Sequence, residues 1–465
     1  FDSLNWVENM KMPIETALKT GKIVEGTICY TGDITDPNET KYTLDYYVKK
    51  AKELESLGVH IFTIKDMAGL VKPYAAKKLI SALKEELNIP VNLHTHDSTG
   101  NGVSTLLMAS EAGLDIADCA IGSMSSMTSN PCMNSLVEAL KGTERDTGLN
   151  PDELTELSQY YARIRPIYKQ FESGMDAPNT EIYKYEIPGG QYSNLLAQVK
   201  EMGAAEDFEE IKGLYKDANQ LLGNIVKVTP SSKVVGDFAI FMFKNGLTKE
   251  NILEVGKDLS YPDSVVEYFE GMIGQPEGGF PEELQKIVLK DKKPIDVRPG
   301  SLLPDEDFDY IAKGLKENFY TENMEDPDIL SQKTLSYALY PKVYEDYCRH
   351  FEAYNDVTGL ESHVYFYGLR KGEETTLKLD EGKYLIIKFI DMTEPDEDGY
   401  RLLDFEVNGS IREIKVLDKN LEVKTDRRVK ADKSNPAHLG STIPGTVGKV
   451  LVNEGDEVTV NMPLM

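Results

Sequence analysis

Two short stretches, Ile61-Phe-Thr-Ile-Lys-Asp66 and Val91-Asn-Leu-His-Thr-His-Asp97, constrain the fold most, with a segment rich in Lys, Ala and Leu between them. Both read as buried β-strands that end in polar groups, and the segment between them reads as a helix. Alternate side chains of a strand share a face, so His94 and His96 project together from the end of the second strand. Two imidazoles so placed suit a divalent first-row metal that takes its remaining ligands from neighbouring strands or water. A polar pair that merely finishes a strand is the competing reading, because His-x-His alone is not specific.

The same alternation runs through residues 1–150. Helices are expected over 6–20, 42–57, 73–87, 102–112 and 135–141, and strands over 24–30 and 116–120 beside the two above. The opening Phe1-Asp-Ser-Leu reads as one more strand end, which makes about five strands. Repeated βα units with short connections imply a parallel sheet. Polar residues gather where strands finish: Asp2 and Asn5, Thr31 and Asp33, Lys65 and Asp66, His94, His96 and Asp97, Ser123 and Ser125. Functional groups at the carboxyl ends of successive strands are the arrangement of a TIM (β/α)8 barrel. A doubly wound sheet competes, but the first βα turn lacks Gly-x-Gly-x-x-Gly and lends nucleotide binding no support. Five strands of eight, and a start at Phe1 and a stop at Met465 beside patterned segments, read as a fragment whose amino-terminal barrel strands are missing.

Residues 151–300 read as a mainly helical extension broken by Gly-Gly and Pro-Gly turns. Within it, Val228-Thr-Pro-Ser-Ser-Lys233 starts a helix. Thr229 or a serine could cap that helix, or its hydroxyls and Lys233 could form an anion or carbonyl site. Residues 301–430 turn acidic, then helical, and then take a period of two from Ser362, with strands expected at 364–367, 375–379, 384–390, 401–407 and 411–416. Residues 440–465 open a further all-β module.

Composition limits the partners. The 78 acidic residues against 51 basic ones give a formal charge of -27, which argues against a nucleic acid polymer or an anionic membrane, while small anions remain acceptable in a locally positive pocket. The four cysteines form no Cys-x-x-Cys pair, so a reducing, cytoplasmic location is expected. No apolar run reaches the roughly 18 residues of a spanning helix.

Several long motifs in series carry a resemblance. Ile64-Lys-Asp-Met-Ala-Gly-Leu70, Asn92-Leu-His-Thr-His-Asp97, Pro188-Gly-Gly-Gln-Tyr192, Val228-Thr-Pro-Ser-Ser-Lys-Val-Val-Gly-Asp237 and Gly274-Gln-Pro-Glu-Gly-Gly-Phe-Pro281 resemble the carboxyltransferase region of the pyruvate carboxylase family. Phe366-Tyr-Gly-Leu-Arg-Lys-Gly-Glu-Glu374 resembles that family's allosteric and tetramerisation domain, and Ile443-Pro-Gly-Thr-Val447 resembles the start of its biotin-carrier domain. The resemblance implies carboxyl transfer from carboxybiotin to pyruvate, giving oxaloacetate. It implies His94, His96 and a carbamylated Lys65 as ligands of zinc or manganese, Thr229 as a proton shuttle, and Ser232 and Lys233 as contacts of the incoming biotin. Family residues with no counterpart here are a metal-binding aspartate, the pyruvate-binding arginines and glutamine, the biotinylated lysine, and the biotin-carboxylase domain that uses ATP and Mg. A homotetramer, a biotin-carrier domain from the same or another subunit, and an acetyl-CoA or nucleotide effector are implied partners. Oxaloacetate decarboxylase and transcarboxylase subunits share the barrel motifs, a biotin-independent 2-oxo-acid lyase or aldolase is the rival enzyme, and an assembly and regulatory piece is the rival outside catalysis. His60, His350, His363 and His438 read as structural.

Overall fold

A computed structural model describes residues 1–421 except 173, 320–322 and 397, together with 451–453, 455–458 and 462. Residues 1–164 alternate as expected: α1 (Val7–Lys19), β1 (Glu25–Cys29), α2 (Leu44–Ser56), β2 (Ile61–Asp66), α3 (Pro73–Glu86), β3 (Val91–Thr95), α4 (Gly102–Glu111), β4 (Ile116–Ala117), α5 (Met133–Leu140) and α6 (Pro151–Ile164). The strands pair in parallel in the order β1-β2-β3-β4. Sequential order without reversal, with a helix after each strand, is the build of a TIM (β/α)8 barrel rather than of a doubly wound sheet.

The two sheet faces differ in chemistry, and this difference sets the fold. Ile28, Phe62, Ile64, Val91 and Leu93 lie on one face, fully buried in one cluster with Leu54 of α2, Leu79, Ile80 and Leu83 of α3, and Leu106 of α4. The opposite face carries Glu25, Thr27, Thr63, Lys65, Asn92 and His94, aligned by register. A period-two pattern therefore turns one side toward helices and leaves the other for polar groups.

Two expectations for this half need correction. Phe1-Asp-Ser-Leu4 is not a strand: Asp2 Oδ2 accepts the amides of Leu4 (2.8 Å) and Trp6 (2.9 Å), which makes the segment a turn ahead of α1. The strand expected over 116–120 is ladder only at Ile116–Ala117, and Ala120 instead forms a bridge to Cys132.

The extension follows with α7 (Ile182–Tyr185), α8 (Gly189–Glu201), α9 (Phe208–Leu221) and α10 (Ser231–Asn245), then helices at Asp263–Glu270 and Glu282–Leu289. It has a core of its own, centred on Leu195, Ile211, Tyr215, Val235, Phe238, Met242 and Phe269. The chain forms two compact units, Phe1–Tyr344 and Glu345–Met465. In the second, β5 (Glu374–Asp380), β6 (Lys383–Met392), β7 (Tyr400–Val407) and β8 (Ser410–Leu417) make an antiparallel meander in sequence order. Residues 364–367, expected as a strand, are part of a helix, Ser362–Tyr367. Their β-branched and aromatic composition is outweighed by local hydrogen bonding, Tyr365 N–H to the Glu361 carbonyl and Gly368 N–H to that of Val364. The β module expected over 440–465 lies largely outside the described residues.

One buried carboxylate ties the strand ends together. Asp66, fully buried, accepts the amides of Leu70 and Val71 (both 2.8 Å) and the Thr95 hydroxyl (2.9 Å), so the end of β2, the turn after it and the end of β3 share one acceptor. Asp66→Ala should lower stability by roughly 3 kcal/mol, because several buried donors lose a charged partner at once. Asp66→Asn, which keeps one acceptor oxygen, should lose less. The shift in the urea unfolding midpoint of the two variants checks the order.

Candidate functional site

The parallel register places Lys65 opposite His94, with Cys29 opposite Lys65 on the other side. All three residues stand at the carboxyl ends of their strands on the polar face. His96 follows one residue beyond β3, and its ring centroid lies 5.3 Å from that of His94. The turn after β2 passes close beneath it: Gly69 adopts φ 72°, and a Cβ there would lie 2.6 Å from the His96 carbonyl oxygen. Only glycine fits that approach. The Lys65 ammonium lies 5.4 Å from the centre of the Phe1 ring.

Each imidazole is oriented through its Nδ1. His94 Nδ1 is 2.8 Å from Asp118 Oδ2, and His96 Nδ1 is 2.6 Å from the Thr128 carbonyl oxygen. A carboxylate and a carbonyl can only accept, so Nδ1 carries the proton in both rings and Nε2 keeps its lone pair. Burial lowers the pKa of His96, which favours its neutral form, while the hydrogen bond from His94 holds Asp118 below the usual carboxylate range. A carboxylate or carbonyl behind a ring nitrogen is the usual support of a metal-binding histidine. Among the described residues no group of three His, Cys, Asp or Glu side chains forms a metal cage. Among the described residues the two Nε2 atoms are the lone-pair donors at this face, beside the Lys65 ammonium.

Asp118 and its neighbours were not singled out from the sequence. Asn92 Nδ2 reaches Glu25 Oε1 (3.3 Å) and Asp118 Oδ1 (3.4 Å), and the Thr63 hydroxyl also donates to Glu25. The Asn92 Oδ1 atom is buried without a hydrogen-bond partner among the described residues. These residues form a polar layer directly beneath Lys65 and His94, and the signal that could have found them is the period-two recurrence of polar residues in strands otherwise read as buried. Conversely, several polar strand ends prove to be braces. Asp66 faces away from Lys65, Asp97 Oδ1 accepts the Gly102 amide at 2.8 Å, and Asn5 exchanges two 2.8 Å hydrogen bonds with the backbone of Cys29 at the edge of β1. His60 accepts the Val24 amide at 3.0 Å, as a structural residue would.

Thr229, Ser232 and Lys233 sit together at the start of α10, after a cis Thr229-Pro230 peptide. Thr229 and Lys233 are exposed and Ser232 is buried. Neither Thr229 nor Ser232 caps the helix among the described residues. Ser231 is the bound hydroxyl instead, accepting the Val228 amide at 3.1 Å and lying 2.7 Å from the Val226 carbonyl oxygen. Just before this turn the buried Lys227 pairs with Glu186 Oε2 at 2.5 Å and reaches the Thr31 hydroxyl at 3.3 Å. Burial alone would raise the Glu186 pKa, but the Lys227 ammonium and the Thr31 hydroxyl outweigh it and hold the carboxylate ionised. This ion pair joins the end of β1, the segment after α7 and the approach to Thr229. No hydrogen bond or ion pair links Thr229 to the histidine pair among the described residues.

Residues 14–160 match the family described as "HMGL-like", and residues 182–388 match "Conserved carboxylase domain". The chain is 49% identical over 467 residues to the pyruvate carboxylase of Bacillus subtilis (strain 168), covering 99% of this chain and 40% of that protein. The carboxyl transferase domain from Rhizobium etli pyruvate carboxylase superposes with a TM-score of 0.84 at 43% identity, over 90% of this chain and 69% of that one. A structure of the same domain with pyruvate and biocytin matches equally, with TM-score 0.84 over 90% of this chain and 70% of that one. The chain belongs to the pyruvate carboxylase family, through its carboxyltransferase region. It spans about 40% of the length of the curated relatives it matches.

The Lys227–Glu186 pair has a measurable consequence. Lys227→Met leaves a carboxylate in a largely buried place without its cation, so it should cost about 3–5 kcal/mol, whereas the double variant Lys227→Met/Glu186→Gln should recover a large part of that loss. Unfolding midpoints of the single and double variants check the coupling.

Proposed function

We propose that this chain performs the carboxyl-transfer half of a biotin-dependent, ATP-driven carboxylation of pyruvate to oxaloacetate. One observation carries the reading: His94 and His96 present free Nε2 atoms beside Lys65 on one strand face, in a chain of this family. A divalent metal, zinc or manganese, held by His94, His96 and a carbamylated Lys65, would supply a Lewis acid that steadies negative charge on the pyruvate oxygen. Biotin would supply the carboxyl group, carried on its ureido nitrogen.

The residues of this chain then have distinct tasks. Asp118 and the Thr128 carbonyl fix the two rings so that Nε2 stays available. The Thr229 hydroxyl, exposed and without a hydrogen bond among the described residues, is the group that would take up a proton from the methyl carbon of pyruvate, and bound biotin would supply the acceptor for the hydroxyl's own proton. A hydroxyl is too weak a base to hold the proton by itself, so donor and acceptor must both be in place. The methyl carbon, with the electron pair of the broken C–H bond, bonds to carbon dioxide and gives oxaloacetate. Ser232 and Lys233, on the first turn of the same helix, would contact the incoming biotin ring.

The wider protein is proposed to be a homotetramer with a biotin-carrier domain and an acetyl-CoA or nucleotide effector. The free thiols of Cys29, Cys119 and Cys132 suit a reducing cytoplasmic setting, and no described helix is long and apolar enough to cross a membrane.

Two measurements test the reading. In the full-length enzyme Thr229→Ala should abolish oxaloacetate formation and spare ATP-dependent biotin carboxylation, and normal pyruvate carboxylation by that variant would remove the proton-shuttle role. Asp118→Ala should weaken metal affinity about 10–100-fold, read as metal content after dialysis against a chelator. Undiminished metal retention would leave His94 with no need of its carboxylate.

A further inference from the structure

A cavity of about 260 Å³ opens beside the end of β1, lined by the segment after that strand, by α7 and by α9. None of Lys65, His94, His96, Thr229 or Ser232 borders it. Its charged lining is Lys41, Lys184, Lys216, Lys227, Glu39 and Glu186, a net positive concavity on a chain whose formal charge is -27. Four cations and two anions would be unremarkable if each carboxylate were shared among the lysines, but the hydrogen bonds divide them otherwise. Glu186 is taken by Lys227 at 2.5 Å. Glu39 turns Oε1 to the backbone, accepting the amides of Lys41 (2.8 Å) and Tyr42 (2.9 Å).

Three ammonium groups thus make no hydrogen bond or ion pair with a carboxylate among the described residues; carboxylates act on them only at longer range, Glu277 and Glu39 on Lys41, Glu181 and Glu209 on Lys184, and Glu186 on Lys216. Lys41 Nζ hangs from the carbonyls of Gly223 (2.7 Å) and Asn224 (3.3 Å), and Lys184 Nζ rests on the Tyr185 hydroxyl (2.8 Å). Lys216, exposed on α9, makes no hydrogen bond or ion pair among the described residues. Burial brings the pKa of Lys41 down to about 8, with Glu277 and Glu39 opposing the shift and Lys227 adding a smaller push in the same direction. Cations gathered around an open volume repel one another, and a bound anion relieves that repulsion.

The donor type narrows the anion. No arginine lines the cavity, so the planar fork that suits a carboxylate is absent. Lysines are point charges on flexible stems that can meet a tetrahedral, doubly charged group from several sides. We propose that this cavity is a binding site for the phosphoryl group of a small anion, formed by Lys41, Lys184 and Lys216 around the end of β1. The shared chemistry is phosphoryl, whether it arrives as free inorganic anion or as the end of a phosphate ester. This site is separate from the carboxyl-transfer reading and stands or falls without it.

Isothermal titration calorimetry of the purified chain at low salt tests the site with inorganic phosphate, pyrophosphate, glycerol 3-phosphate and, as a dicarboxylate of similar charge, succinate. Saturable one-to-one binding of phosphate or pyrophosphate is expected, with succinate weaker. Tighter binding of glycerol 3-phosphate than of phosphate would assign the site to an ester, and the reverse order to the free anion. Lys184→Met and Lys216→Met, both surface changes, should each weaken binding about tenfold, the loss of one charge-assisted contact, while Lys84→Met, at the amino-terminal ends of the strands where Lys84 pairs with Asp115, should change nothing. Absence of saturable binding, binding unaltered in the Lys184→Met/Lys216→Met double variant, or succinate binding as tightly as pyrophosphate would overturn the proposal.

Discussion

The parallel pairing of β2 with β3 is the constraint on which the rest of the site depends. Register sets Lys65 beside His94, and because a strand's side-chain period is two, a slip of one residue would send both into the apolar helix layer. That slip is opposed from both faces. On one side Phe62, Ile64, Val91 and Leu93 are fully buried against helices; on the other, Thr63 and Asn92 engage Glu25 and Asp118. Asp66 then locks the strand ends by accepting from the turn after β2 and from Thr95 of β3. The histidines are consequently delivered by rigid elements, with their reactive nitrogens selected by what stands behind them.

The extension contributes in a different way. Its core is separate from that of the barrel, yet the turn before α10 is anchored to the barrel end of β1 through Lys227, Glu186 and Thr31. A charge buried beside a strand end is costly unless paired, and here the pairing also determines where the Thr229 turn begins. The same β1 end borders the lysine-lined cavity, so two chemically distinct surfaces share one structural support.

Much of this was legible in the residues. The strand–helix alternation up to about residue 150, the antiparallel meander and the grouping of Thr229, Ser232 and Lys233 at a helix start all follow from period and turn chemistry, and the structure differs in boundaries by a few residues. The errors have common causes. Val364 to Tyr367 has strand composition in a segment too short for periodicity to decide, and helical hydrogen bonding prevails. Asp66 and Asp97 look like site residues because they end strands, but a one-residue change of parity puts Asp66 on the opposite face from Lys65, and Asp97 serves the amide of Gly102.

The sequence by itself determined the class of fold, the two histidines on one strand face and the family motifs, because these depend on spacing along a single segment. Only the tertiary structure decided which nitrogen of each histidine is free, that Asp118 stands behind His94, that Lys227 binds Glu186 across 41 residues, and that three lysines from separate segments share one cavity. Each of those is a relation between side chains brought together by register and packing. Local periodicity holds no record of such distances.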